Sequence, residues 1–139
     1  MALWHLTSQV NTGLLLWRTG PAAFRVMQYD EPAEVLTNAD YFLFDKKYET
    51  VLRKLPGQVD LRPVTVTDGV RHLVWDHYLE LTVHRSVDAD AILAHTGAGL
   101  DMYRFGNDCV FVSEALKEEL RKVGPDALHF SSGLSEFAA

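Results

Sequence analysis

Residues Cys109 to Phe130 read C-V-F-V-S-E-A-L-K-E-E-L-R-K-V-G-P-D-A-L-H-F. A short apolar run meets a serine, then an amphipathic segment of about three turns, a Gly-Pro break and a second apolar run. That order predicts strand, helix, turn and strand. Leu116, Leu120 and Val123 form the helix stripe. Ser113 stands where an N-cap belongs, and Glu114 sits where the helix dipole favours a negative charge. Lys117, Arg121 and Lys122 fall towards the other end, where cations are favoured.

A second copy runs from Phe42 to Leu61, F-L-F-D-K-K-Y-E-T-V-L-R-K-L-P-G-Q-V-D-L. Sliding one copy onto the other places Leu52-Arg53-Lys54 on Leu120-Arg121-Lys122, Asp45 on Ser113 and Tyr48 on Leu116. Pro56-Gly57 falls on Gly124-Pro125. Asp45 is the predicted cap, and Tyr48, Val51, Leu52 and Leu55 form the stripe at i, i+3, i+4 and i+7. A chain built round such a unit is α+β, with a mostly antiparallel sheet and two or three short helices. At 139 residues it is expected to be a single domain spanning residues 1–139.

Other segments fill the frame. Ala2–Leu6 reads as an opening strand, Asn11–Gly20 is ambiguous, and Phe24–Tyr29 alternates as a half-buried strand does. Val59 to Val66 suggests a strand bent at Pro63. Asp68-Gly69 is a two-residue hairpin signal, with Val70–Trp75 as the return strand and His77–Val87 as another. Asp88 or Ser86 would cap a short helix over Ala89–His95, and Leu100–Phe105 is a further strand. The tail from Ser131 onward is expected to be loosely held.

Formal net charge is −6, with 13 Lys and Arg against 19 Asp and Glu. Such a surface argues against nucleic acid and anionic membrane as partners; it suits a basic protein and equally fits a surface that only keeps the chain in solution. The start of the chain lacks the pattern of a signal peptide, and Leu14-Leu15-Leu16-Trp17 is too short to span a bilayer, so a cytoplasmic location is expected. The one cysteine, Cys109, beside Val110-Phe111-Val112, reads as a small buried hydrophobe rather than a reactive thiol.

Residues that could carry chemistry are few. Ser113 lacks the flanking glycines of a nucleophile elbow, and capping accounts for it. Gly97-Ala98-Gly99 lacks a third glycine and follows a helical segment, so it reads as helix termination. Asp88-Ala89-Asp90 pairs two carboxylates, but capping explains Asp88 without a metal. The six histidines do not fall at i, i+4 on a helix, and only His77 beside Asp76 suggests an acid/base pair. Trp75, Tyr78 and Tyr103 are candidates for an exposed aromatic patch, with core burial the favoured reading for any one of them. No cofactor or metal site is expected.

The succession F-L-F-D, L-R-K-L, V-D-L-R-P-V-T-V, Y-L-E-L-T-V-H-R-S-V-D, M-Y-R-F, V-F-V-S-E-A-L-K-E-E-L and A-L-H-F resembles immunity family eleven of the bacterial polymorphic toxin systems. The likeness covers residues 41–130. Asp45 stands where the family more often has serine, and Pro125-Asp126 replaces its glycine-containing turn. The resemblance implies a non-catalytic protein that binds and neutralises a cognate toxin made by the same cell, in competition between bacteria. On that reading Asp88, Asp90, Asp101, Asp108 and Tyr103, around the Gly97–Gly99 turn, are the expected contacts with a basic toxin. The alternatives are a small cytoplasmic enzyme using His77 and Asp76, or a non-catalytic adaptor.

Overall fold

The computed structural model describes residues 2–137. Both copies of the repeated unit form, and each is split by a strand from elsewhere in the chain. In the first, β5 (Phe42–Asp45) leads through a 3-10 turn (Lys46–Tyr48) and α1 (Glu49–Leu52) to β6 (Val59–Asp68). The long strand β7 (Leu73–Val83) lies between β5 and β6, antiparallel to both. In the second, β9 (Cys109–Val112) leads through α3 (Glu114–Val123) to β10 (Leu128–Ser132). Here β1 (Trp4–Ser8) is the inserted strand, antiparallel to β9 and β10.

The architecture is α+β, with ten strands in two mostly antiparallel sheets among the described residues. The smaller sheet has the order β10-β1-β9-β8, with β8 at Met102–Phe105. The larger adds β2 (Leu15–Gly20), β3 (Ala23–Gln28) and β4 (Val35–Thr37) in the order β2-β3-β6-β7-β5-β4. Its one parallel pairing joins β3 to β6.

The main core takes one face of each sheet and the stripes of both helices, including Leu6, Phe44, Tyr48, Leu52, Leu79, Val112, Leu116 and Leu120. The two units meet at Gly124. A Cβ there would lie 1.9 Å from the Tyr48 hydroxyl oxygen, so the residue must be glycine for space, at an ordinary φ of −130°. Tyr48 is fully buried and donates to Glu34 Oε1 at 2.6 Å.

A second core, with Phe24, Leu43, Val66 and Tyr78, fills the opposite face of the larger sheet. That sheet curls around it until β2 meets the loop after β4. The Leu16 amide donates to the Tyr41 hydroxyl at 3.2 Å, and Arg18 reaches the Asp40 carbonyl and Glu80. A third cluster lies under α2 (Ala89–Ala94), where Ile92, Leu3 and Phe111 are buried on the outer face of the smaller sheet.

All three expected caps are present. Asp45, Asp88 and Ser113 accept from the amides of Lys47, Ala91 and Leu116. Lys117 differs from its expected role. It is buried, with its ammonium 3.7 Å from the Trp4 ring centroid, while the Trp4 indole donates to Glu114 at 2.5 Å. These contacts tie β1 to α3 as well as to the sheet.

Several expectations are corrected. Asp68-Gly69 does not make a two-residue turn. The loop holds four residues, Gly69–His72, because the Asp68 carboxylate accepts from the amides of Val70 and Arg71 and folds the chain back later. The left-handed residue is His72, at φ 55°. Val70 therefore lies in the loop, and the two expected strands over 70–87 are one, β7. The ladder is not broken at Pro63, which pairs with Leu79. Val64 faces Tyr78 and Val66 faces Trp75, so the extra residue is on β7, at Asp76-His77, a β-bulge. The ambiguous segment ends in β2. The tail to Phe137 is held: β10 runs to Ser132, the Gly133 amide donates to the Leu3 carbonyl at 2.8 Å, and Phe137 packs against His5 and Phe111. Residues 1, 138 and 139 of the expected domain lie outside the described residues.

Candidate functional site

Asp101 ends the loop before β8 and joins a network spanning both units. Arg85, just beyond β7, donates from Nη2 to Asp101 Oδ1 at 2.9 Å and also to the Gln58 side chain. Gln58, in the turn after α1, bridges onward to the Leu100 carbonyl and the Met102 amide. His95 Nε2 stands 3.5 Å from Asp101 Oδ2. The Ser113 hydroxyl accepts from the Asp101 amide at 3.0 Å and donates to the Gly99 carbonyl at 2.7 Å. The Tyr103 ring lies under the Arg85 guanidinium, 4.3 Å from centroid to Cζ. Arg85 Nε is buried without a hydrogen-bond partner.

Asp101, Arg85 and His95 thus group three ionisable side chains beside the Gly97–Leu100 loop. Two members of the network, Asp101 and Tyr103, were expected contacts; Arg85, Gln58 and His95 were not singled out. Their sequence neighbourhoods carry no motif, since they come from three connections joined only by tertiary packing. Chemically, the network is an ion pair with its charges consumed internally. Asp101 is held by one cation, Arg85, and by His95 and the Ser113 hydroxyl, which suits it to fixing the Gly97–Leu100 loop.

The other expected contacts lie elsewhere. Asp88 caps α2 and Asp90 is exposed in its first turn. Asp108 is exposed in the β8–β9 turn. The Val87 amide donates to the Arg104 carbonyl at 3.0 Å, which sets Asp88 beside the end of β8 and the β8–β9 turn that holds Asp108. Asp101 precedes the far end of β8, four residues from Phe105, or about 13 Å along a strand. The five residues thus divide into an exposed acidic end and a half-buried pair.

Asp76 and His77 sit on the β7 bulge. Asp76 is exposed, and the His77 ring lies 4.3 Å from that of Tyr78. No hydrogen bond joins the two side chains. Beyond the other end of β7, His84 Nε2 is 2.9 Å from Asp60 Oδ2.

Of the three aromatics, Tyr78 and Trp75 follow the core reading and not the patch. Tyr78 is fully buried and donates to the Ala33 carbonyl at 2.7 Å, and burial raises its pKa. Trp75 is half-buried against the second core. Cys109 is also half-buried, and burial together with Asp108 pushes its pKa up to about 11. A thiol so shifted is a poor nucleophile at neutral pH.

Among the described residues no three His, Cys, Asp or Glu side chains group as metal ligands, and no helix is long and apolar enough to cross a membrane. Comparison with protein-family models, curated proteins and solved structures gave no match for this chain.

Proposed function

We propose that this chain is a cytoplasmic immunity protein, a binder without a catalytic step of its own, that neutralises a cognate toxin by occluding its active site. The observation that carries the reading is the acidic end of the smaller sheet. Asp88, Asp90 and Asp108 have no cationic nitrogen within 4.0 Å among the described residues, whereas Glu114, Glu118 and Glu119 on α3 are all paired within the chain. Unpaired carboxylates at one end of a chain of net charge −6 accelerate encounter with a basic partner. The sequence likeness to immunity family eleven supports the same role.

The test is co-expression with the protein encoded immediately upstream, scoring host survival and co-purification. Rescue with a stoichiometric complex is expected. Asp90→Lys with Asp108→Lys, which spares the Asp88 cap, should weaken that complex at least tenfold, about 1.4 kcal/mol. Unchanged affinity discards this surface. Absence of toxicity and of any complex discards the reading and favours the adaptor.

A further inference from the structure

The larger sheet runs out past the main core. Along β6, Val59 and Leu61 pack in that core, and the next residues on the same face, Pro63, Thr65 and Thr67, are exposed. Side chains alternate along a strand, and Val64 and Val66 between them enter the second core. The neighbouring strands split the same way. Phe24 and Val26 of β3 pack in the second core and leave Arg25 and Met27 on the outer face. Leu14 and Leu16 leave Leu15 and Trp17 there, and Trp75 of β7 leaves Val74.

The ladders bring these positions into line. Trp17 pairs with Arg25, Arg25 with Thr67 and Thr67 with Val74, a row across four strands. At about 4.8 Å per strand the row is about 14 Å wide. Leu15, Trp17, Met27 and Val74 are 48%, 55%, 58% and 67% exposed, and nothing in the chain lies over them. Apolar side chains gathered on one open face define an interaction surface.

Two charges stand on this face. One is Arg25, which alone among the eight arginines makes neither an ion pair nor a hydrogen bond with the described residues. The other is Asp76, also without a cationic nitrogen within 4.0 Å among them. Trp75 and His77 on either side of it hold their rings 6.4 Å apart, so Asp76 points to the other face, opposite Thr65.

We propose that this face joins a second copy of the chain, related by a two-fold axis lying in the interface. Such an axis brings two points of one face together when it bisects the line between them. The line from Arg25 to Asp76 crosses β6, the strand between β3 and β7, where Thr65 and Thr67 present short side chains. The two-fold there sets the guanidinium of each copy on the carboxylate of the other, so one operation makes two ion pairs and covers both apolar rows, as an isologous contact does. A wholly apolar partner would leave both charges buried and unpaired, which favours the second copy. The surface shares no residue with the acidic end and does not rest on the immunity reading. A row about 14 Å wide is smaller than a standard interface of about 800 Å² per partner, so the dimer is expected at micromolar protein.

The test is sedimentation velocity on the full chain from about 5 to 500 µM. The chain should pass from monomer to dimer over that range. Arg25→Asp and Asp76→Arg should each weaken the dimer at least tenfold, because each sets like charges in contact. Mixed in equal amounts, the two variants should form a heterodimer about as tight as the unaltered dimer, since each ion pair then again joins an arginine to an aspartate. Each variant is scored only with an unaltered 15N spectrum away from the face, and Arg25→Glu and Asp76→Lys stand in where it is not folded. Amides that shift with concentration should lie on β2, β3, β6 and β7. The proposal is overturned if the chain stays monomeric at the highest concentration, if either variant dimerises as tightly as the unaltered chain, if the mixture stays monomeric, or if the shifts lie elsewhere.

Discussion

Replacing Gly124 by alanine tests the contact on which the two halves of the fold depend. The new Cβ would sit 1.9 Å from the Tyr48 oxygen and 2.9 Å from Cζ, so one partner must move. At φ −130° no left-handed strain enters, and the lower backbone entropy of the unfolded chain with alanine offsets about 0.4–1 kcal/mol of the cost. If Tyr48 stays, overpacking costs about 1–3 kcal/mol. If it swings away, its bond to the Glu34 carboxylate is lost, at about 1.5–3 kcal/mol for a charged acceptor. The cheaper route decides, and a fully buried ring has little room for either, so the cost is set at about 3 kcal/mol before that offset and about 2 kcal/mol after it. At about 2.1 cal/mol/K per residue, the unfolding entropy of this chain is about 0.3 kcal/mol/K, and Tm should fall by about 7 °C. Urea denaturation gives the free energy directly. In a Tyr48→Phe background the nearest atom is gone, and the same substitution should cost about 1 kcal/mol before the same offset. The resulting coupling of about 2 kcal/mol exceeds the 0.3–0.5 kcal/mol scatter of independent sites. A loss below 1 kcal/mol for Gly124→Ala alone, or an equal loss in both backgrounds, would refute the argument.

Two further predictions concern titrating groups. With its pKa pushed up to about 11, Cys109 should react with iodoacetamide at pH 8 about two orders of magnitude more slowly than a free cysteine, and unfolding in urea should restore the normal rate; a normal rate in the folded protein removes the assignment. His5 has its pKa lowered below 6.5, first by burial against Phe111 and Phe137 and only partly offset by Glu136. The unfolded chain therefore binds the proton more readily. This contribution to stability is complete above pH 6.5 and is lost as pH falls from there through the folded value. His5→Phe should flatten urea midpoints between pH 6.5 and 5, and an unchanged slope would show that another group is responsible.

The expected contact residues show where reading a sequence stops. Capping of α2 by Asp88 was legible because an N-cap acts on amides two or three residues away. The fate of Asp101 was not, because its partner Arg85 lies 16 residues distant along the chain, and Gln58, which Arg85 also bonds, lies 27 residues from Arg85. The burial of Tyr78 agrees with the core reading of that aromatic, but the β7 bulge beside it gave no signal. A bulge is fixed by the register of two strands, not by the residues at it.

Local interactions in the sequence determined the two strand-helix-strand units, their apolar stripes, their caps and their Gly-Pro breaks. These depend on contacts within a turn or two of helix or on alternation within one strand. Only the tertiary structure decided that β7 and β1 are inserted into the two units, that Gly124 meets Tyr48, and that the larger sheet curls far enough for β2 to meet the loop after β4. The physical reason is that an edge or interior strand has the same local preferences whichever neighbour it takes. The choice is made by burying one face of each sheet in a common core, a property of the whole chain at once.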